Sequence, residues 1–314
     1  MEERTIFHVD ANSAFLSWSA AYRVKVLGET EDLRDVPSVV AGDKASRHSI
    51  VLARSTPAKK YGVQTGEPLF KAIEKCPDLK IVPPDYSLYV EASRHFVEML
   101  KQFSPCVEQY SIDEAWVDMT GTQRLFGAPR LAAETMRRRI WEELGFTVNI
   151  GISSNKLLAK MAGDFEKPNK IHTLFPEEME SKMWPLPVRD LFLVGPATEK
   201  KLKLMGIYTI GDLARSELTV IRNRLGKHGE TIWHFANGRN ADVVAPEPAE
   251  NKGYGNSTTT PVDIITYQYA YQVLLSLCET VAARMRKDGK CGSCITVSLR
   301  TNAFLSASHQ KLLV

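Results

Sequence analysis

The sequence predicts an α+β chain of several domains, built around a ferredoxin-like layer. Three observations carry that expectation. Strand and helix patterns follow one another as β-α-β-β-α-β up to about residue 174, with one insertion after the first strand. Residues 175–240 then read as short helices without a strand pattern, and a polar, Pro/Gly-rich run over 241–249 leads into a final stretch with one helix and one strand pattern. The length of 314 residues exceeds what one simple core holds. With 44% hydrophobic and 25% charged residues the composition is that of an ordinary globular protein. No apolar run reaches the roughly 20 residues that span a bilayer, and the N-terminus shows no leader pattern, so a cytoplasmic protein without a membrane partner is expected. The five cysteines are few, odd in number and scattered, which predicts thiols rather than a disulfide framework.

Taken in order, "TIFHVDANSAFLSW" alternates Ile6, His8 and Asp10 with Phe7 and Val9, the pattern of an interior strand, and feeds a helix at about Ser13. "VPSVVAGD" and "SIVLARS" read as a hairpin pair with Gly42 and Asp43 among the turn residues. "PAKKYGVQTGEPLFKAIEKCP" is helical and loop material punctuated by Gly and Pro. A helix follows over 86–103, then the β segment "VEQYSIDEAWVDM", then a helix over 129–144. "FTVNIGISS" is a strand, and "NKLLAKMAGDFEKP" is the helix after it, ended by Pro168. Beyond 250 come a helix over 267–287 and the strand "CITVSLRTNAF"; the pattern is interrupted at Val314, so this last domain reads as partial.

The chemistry is expected where strands meet. Asp113 and Glu114 are adjacent within β-structure, where a straight strand would point them to opposite faces, so a hairpin tip is the arrangement that lets both serve one task. In a ferredoxin-like sheet the first strand neighbours that hairpin, which brings Asp10 to the same end. Three clustered acids repel unless cations sit among them, and oxygen-only donors favour Mg²⁺. Two such ions about 3.5–4 Å apart stabilise the attacking and leaving oxygens of an in-line phosphoryl displacement.

A second signal lies in "VGPATEKKLKLMGIYTIGDLA". A Gly-containing turn at Gly195 opens a lysine-rich helix carrying Lys200, Lys201 and Lys203, and a second turn opens the next helix. Turn amides, a helix N-terminus and adjacent lysines are the architecture of a helix-hairpin-helix, which would grip a nucleic-acid backbone without reading bases; the alternative is an ordinary helical hairpin. Charge agrees: residues 189–240 carry nine Lys/Arg against five Asp/Glu, residues 250–314 seven against four, and the whole chain is +3, so the remainder is acidic at −4. Other chemistries find no support. Cys291 and Cys294 form a lone CxxC with no second pair, the seven histidines suggest no nucleophilic triad, and no Walker or Rossmann glycine loop is present.

With "FHVDANSAF", "YSIDEAWVD", "GISSNKLLAKMAGDFEKPNK" and "VGPATEKKLKLMGIYTIGDL" in this order and spacing, the chain resembles the Y-family, translesion-type DNA polymerases over nearly its whole length. "GVQTGEPLFKA" and "CITVSLRTNAF" lean toward the polymerase V catalytic subunit, and the resemblance as a whole is to that subunit and the polymerase IV group. The resemblance implies a ferredoxin-like palm at 1–13 and 85–174, small fingers at 14–84, a thumb with the helix-hairpin-helix at 175–240, a linker at 241–249 and a partial α/β little finger at 250–314. It implies metal ligation by Asp10, Asp113 and Glu114 with the Ala11 carbonyl, two Mg²⁺ ions, and nucleotide contacts at Ala14, Phe15, Thr56, Lys59 and Lys167. Phe15, five residues after Asp10, falls where the family places the aromatic ring that excludes a 2′-hydroxyl. Lys59 and Thr56 depart from the more familiar Arg preceded three residues earlier by Tyr, which loosens the expected grip on phosphate or template. DNA contacts are implied at Gly195, Lys200, Lys201, Lys203 and Arg300. Primer–template DNA and deoxynucleoside triphosphates are the implied partners, with a sliding clamp and accessory subunits beside them. The implied activity is low-fidelity, template-directed primer extension in an SOS-type damage response. The competing readings are a nucleotide cyclase, which would leave the basic helical hairpin without a purpose, and a non-catalytic DNA-binding accessory factor, which would have no use for three gathered carboxylates.

Overall fold

The structure, a computed structural model, describes residues 4–43, 49–247 and 250–313. It divides into a body Met1–Pro248 and a second unit Ala249–Val314. The centre of the body is a five-stranded sheet whose strands come from distant parts of the chain. In chain order the strands are β1 (Ile6–Ala11), β2 (Ser38–Ala41), β3 (Val51–Arg54), β4 (Lys80–Val82), β5 (Val107–Gln109), β6 (Glu114–Asp118), β7 (Val148–Ser153) and β8 (Ile171–Thr173). The main sheet runs β5-β6-β1-β7-β8, with β1 antiparallel to both β6 and β7. Without β8 this is the ferredoxin-like order, so the hairpin and the first strand are central neighbours as expected. β8 adds a three-residue parallel edge beside β7.

Period-2 alternation divides the sheet into two faces. Phe7, Val9, Val117 and Ile150 are buried with Phe96 and Met136 of the helices Tyr86–Lys101 and Pro129–Arg139, and with Leu16 and Trp18 of the helix Ala14–Lys25. The opposite face, carrying His8, Asp10, Trp116 and Gly151, is covered by the helix Lys156–Gly163. Close approach there depends on Gly151: a Cβ at that position would stand 1.9 Å from the Ala159 carbonyl oxygen and 2.4 Å from the Gly163 nitrogen.

The expected 129–144 helix is α-helical to Arg139 and continues as one wider π turn, Ile140–Leu144, closed by Gly145 at φ 83°. The helix read from "NKLLAKMAGDFEKP" stops at Gly163, five residues before Pro168. The chain leaves the helix because Asn149 Nδ2 takes the Gly163 and Glu166 carbonyls at 3.0 and 2.7 Å, folding residues 164–170 back toward β1.

β2 and β3 pair antiparallel as expected, though residues 44–48 of their connection lie outside the described residues. β4 joins β2 in parallel, and Ala58, Val63, Leu69 and Ala72 close a small separate core under these three strands. Among the described residues 175–240 no strand occurs. Their helices bury Val188, Leu202, Ile210, Leu213, Ile221 and Ile232 together with Leu157, Leu158 and Met161, the outward side of the helix Lys156–Gly163. That one helix therefore packs on the sheet with one side and on the helical layer with the other. The second unit holds a helix, Tyr267–Lys287, and an antiparallel hairpin of β9 (Cys294–Arg300) and β10 (Ser306–Leu312). β10 is not foreseen from sequence because "SASHQKL" lacks a convincing apolar alternation.

Candidate active site

Strand register sets the acids. Asp10 is paired across the sheet with Glu114, and the Ala11 N–H donates to the Asp113 carbonyl at 2.9 Å, so the hairpin tip is fastened to the end of β1. Asp113 Oδ1 accepts from Ser111 Oγ at 2.7 Å within the turn. All three acids are half-buried. Their oxygens do not form a ready-made metal cage: among the described residues no group of three metal-binding side chains converges closely enough. Lysines stand beside the carboxylates instead. Glu114 Oε2 accepts from His8 Nε2 at 2.9 Å and from Lys160 Nζ at 2.5 Å, and Asp10 accepts from Lys167, whose ammonium also lies 2.8 Å from Asp164.

The electrostatics follow from those neighbours. Burial works to raise the Glu114 carboxyl, but the hydrogen bonds from His8 and Lys160 prevail and hold it at about 2. Burial lowers His8, which favours a neutral imidazole with Nε2–H donating to Glu114, and Nδ1 is buried without a partner among the described residues. Burial raises Asp10 against the pull of Lys167. Burial works against the Lys167 charge too, yet Asp10 and Asp164 raise that ammonium above its ordinary value. The donor set fits hard cations: every candidate ligand is an oxygen, and among the described residues Glu114 Oε1 receives no hydrogen bond.

A cleft of about 660 Å³ opens from this point, a size suited to a nucleotide. Of the residues predicted from sequence, Asp10, Ala11, Ala14, Phe15, Thr56, Lys59, Asp113 and Lys167 all line it, while Glu114, paired with Asp10 on the sheet, is not among the lining residues. Ser13 takes a left-handed conformation (φ 49°) and turns β1 sharply into the helix Ala14–Lys25, whose N-terminus has no side-chain cap and faces the cleft. Such an N-terminus favours an anion. So do the cations nearby: burial lowers the Lys59 ammonium, and the positive charges of Arg54 and Lys167 lower it further. Phe15 lies flat on Tyr89, ring centroids 4.5 Å apart and planes at 10°, and meets the Tyr86 ring edge-on at 6.3 Å.

Several contributors are not singled out by the sequence. Arg54 lines the cleft beside Lys59. His8 and Lys160 hold Glu114. A buried amide pair ties the site together: Asn12 Nδ2 donates to Asn149 Oδ1 at 3.0 Å, and Asn12 Oδ1 accepts from the Asn169 N–H at 2.9 Å and from Thr147 Oγ1 at 3.0 Å. No sequence signal marks this pair, whose members lie 137 positions apart.

The helical hairpin forms as expected. The helix Pro196–Lys203 starts after Gly195, a turn with Gly206 at φ 78° follows, and the helix Ile210–Arg215 is capped reciprocally by Thr209 and Asp212. Lys200 and Lys201 are placed on this hairpin, Lys201 exposed, and Lys203 pairs with Glu199 at 2.7 Å. Arg300 lies in the second unit at the end of β9, 5.0 Å from the Phe304 ring. Cys291 and Cys294 are exposed thiols.

Comparison with known proteins agrees with this geometry. The model of the impB/mucB/samB family matches residues 9–164, the C-terminal domain of that family residues 251–313, and its helix-hairpin-helix motif residues 176–207. DNA polymerase IV of Clostridium acetobutylicum is 45% identical over 310 residues, covering 99% of this chain and 78% of the relative. DNA polymerase IV of Alkaliphilus oremlandii is 38% identical, covering 95% and 74%. DNA polymerase IV 2 of Bacillus subtilis is also 38% identical, covering 96% and 72%. Among solved structures, a chimeric Y-family DNA polymerase superposes with a TM-score of 0.81, covering 98% of this chain and 88% of its own at 22% identity, a likeness of fold.

Proposed function

The chain belongs to the impB/mucB/samB family, the Y-family DNA polymerases, and from that premise we propose how its own residues carry out primer extension. It is a template-directed DNA polymerase of the translesion type, acting on primer–template DNA and nucleotides, with palm, fingers, thumb and little finger architecture. The curated relatives named above are DNA polymerases IV, one of the two groups the resemblance names, while "GVQTGEPLFKA" and "CITVSLRTNAF" lean toward the other.

The observation that carries the assignment of the site is the pairing of Asp10 with Glu114, next to the hydrogen bond onto the Asp113 carbonyl, beside a cleft that Arg54, Lys59 and Lys167 also line. Asp10, Asp113, Glu114 and the Ala11 carbonyl are assigned as ligands of two Mg²⁺ ions. Bound there, the ions supply Lewis acidity that favours attack by the primer 3′-hydroxyl and neutralises the departing pyrophosphate. Lys59, Lys167 and the N-terminus of the helix Ala14–Lys25, including Ala14, hold the triphosphate tail. Thr56, where an aromatic would stack, leaves the space beside the base open. Phe15, braced by Tyr89, presents a ring that leaves no room for a 2′-hydroxyl. Gly195, Lys200 and Lys201 grip the duplex backbone, and Arg300 adds a further hold from the second unit. The domain limits are assigned as palm 1–13 and 85–174, fingers 14–84, thumb 175–240 and little finger 250–314. Low fidelity in a damage response, cytoplasmic placement, and association with a sliding clamp and accessory subunits complete the proposal. No helix among the described residues is long and apolar enough to cross a membrane.

Primer extension with Mg²⁺, comparing the protein with Asp113→Asn, tests the reading. Extension by the first and its loss in the second, with DNA binding retained in both, is expected. Equal extension by both would remove Asp113 from the site.

A further inference from the structure

We propose that Lys160 is a positioning residue for Glu114, held by an aromatic box that the acidic hairpin and the helical layer build jointly. Lys160 lies on the helix Lys156–Gly163, the element shared by the sheet and the helical layer. Its ammonium sits 2.5 Å from Glu114 Oε2, 5.5 Å from the centroid of the Tyr110 ring and 5.3 Å from that of Phe192. Tyr110 comes from the turn before Glu114. Phe192 comes from the helical layer, where it stacks on Phe235 at 6.1 Å and 10°. The two rings of the box also meet each other edge to face at 6.2 Å, and Tyr110 meets Trp116 at 4.9 Å.

A lysine on four rotatable bonds is a poor spacer unless something fixes it. Here two rings attract the ammonium, and the side chain is only 12% exposed, so its position is set before anything binds. The consequence falls on Glu114. His8 and Lys160 both grip Oε2, and Oε1 receives no hydrogen bond among the described residues. A carboxylate with one anchored and one free oxygen offers a single, defined donor. Partners that orient a ligand in this way typically change metal affinity by about 10–100-fold when removed. One turn earlier Lys156 repeats the device: it takes both oxygens of Glu108 at 2.6 and 2.7 Å while lying 4.4 Å over Trp116. Both Glu108 oxygens are taken, by Lys156 and by the Ala245 N–H at 2.8 Å, so that copy is structural and marks what is particular to the Lys160 box, a free oxygen beside Asp10.

The inference rests on the reading of Asp10, Asp113 and Glu114 as cation ligands. Its test measures Mn²⁺ binding by electron paramagnetic resonance to the protein with a dideoxy-terminated primer–template and nucleotide, alongside the Mg²⁺ dependence of extension on a normal primer. Lys160→Met, Lys160→Arg, Phe192→Leu and the Lys160→Met/Phe192→Leu pair are compared with the unaltered chain. Lys160→Met is expected to weaken Mn²⁺ binding and to raise the half-saturating Mg²⁺ by roughly 10–100-fold, with nucleotide KM at saturating Mg²⁺ unchanged. Lys160→Arg recovers most of the loss, Phe192→Leu shifts both readouts in the same direction by less, and the pair shows no more than Lys160→Met alone. Unchanged Mn²⁺ affinity in a folded Lys160→Met overturns the proposal, as does additivity in the pair. Should Lys160→Met not fold, the same decision rests on Phe192→Leu, whose unchanged cation dependence overturns it. A wild-type protein that binds no Mn²⁺ would instead overturn the underlying assignment of the acids.

Discussion

At the scale of single residues, the ring of Phe15 is held rigid. It is stacked on Tyr89, itself buried and hydrogen-bonded at its hydroxyl to Ser19 at 3.0 Å, so the gate proposed for Phe15 would have a fixed back wall. Replacing it with Ala opens space where the sugar's 2′ position would lie. Incorporation of ribonucleotides relative to deoxynucleotides is expected to rise by roughly 10–200-fold, the range one side chain's volume commands in a pocket. Single-nucleotide primer extension with matched ribo- and deoxynucleotides checks this, and an unchanged ratio would refute the gate. The acids, Phe15, Lys59 and Lys167 were all legible because each sits in a motif of fixed spacing, and the cleft gathers them apart from Glu114, which is not among its lining residues. What holds them was not legible. His8 reads as an alternating residue of a strand and nothing in the motif singles out Lys160, because partnership with Glu114 depends on a helix crossing the sheet. Asn149 was hidden for the same reason: its partners come from residue 12 and from residues 163–170.

At the scale of elements, the Lys156–Gly163 helix depends on a missing side chain. Gly151→Ala would drive a methyl into backbone atoms of that helix, which cannot yield as a flexible side chain does. A loss at the upper end of the ~1–3 kcal/mol typical of overpacking is expected, read by denaturant titration, together with weakened cation binding as Lys160 is displaced. In the helical hairpin, Asp212 caps Thr209 and Tyr208 through their N–H groups at 2.9 and 3.1 Å. The Thr209 N–H and then its hydroxyl hold this carboxyl below its ordinary value. A depressed acid adds stability above its unfolded value and loses it as pH falls through the folded one. Between about pH 7 and about pH 3 the wild type should therefore lose more Tm than Asp212→Asn, which keeps an acceptor but cannot be protonated there. Equal losses would show the cap to be energetically silent. Long periodic elements were readable, because burial of one face dictates their spacing. β4, β8 and β10 were not, since two are three residues long and the third is mostly polar, and each exists through pairing with a neighbour.

At the scale of the whole molecule, the charge imbalance has an outcome in solution. Lys200 and Lys201 belong to the basic helical hairpin and enter no ion pair among the described residues, whereas Lys203 is already paired with Glu199. Lys200→Ala with Lys201→Ala should weaken duplex binding alike for all sequences. It should also flatten the slope of log affinity against log salt by roughly 0.9 for each phosphate left without its lysine. Fluorescence anisotropy over a salt series measures both, and an unaltered slope would exclude these lysines from the interface. The succession of a sheet layer, a helical stretch and a second unit was legible from the change of pattern along the chain. The pairing of acids with lysines was not, because it depends on how residues 160–167 return to the sheet. That return has a last consequence. Lys167 bridges Asp10 and Asp164, and its ammonium has only three N–H groups to share. In the role proposed for it, a triphosphate would compete for those donors. Each one drawn from Asp10 would leave that carboxylate freer to meet a cation.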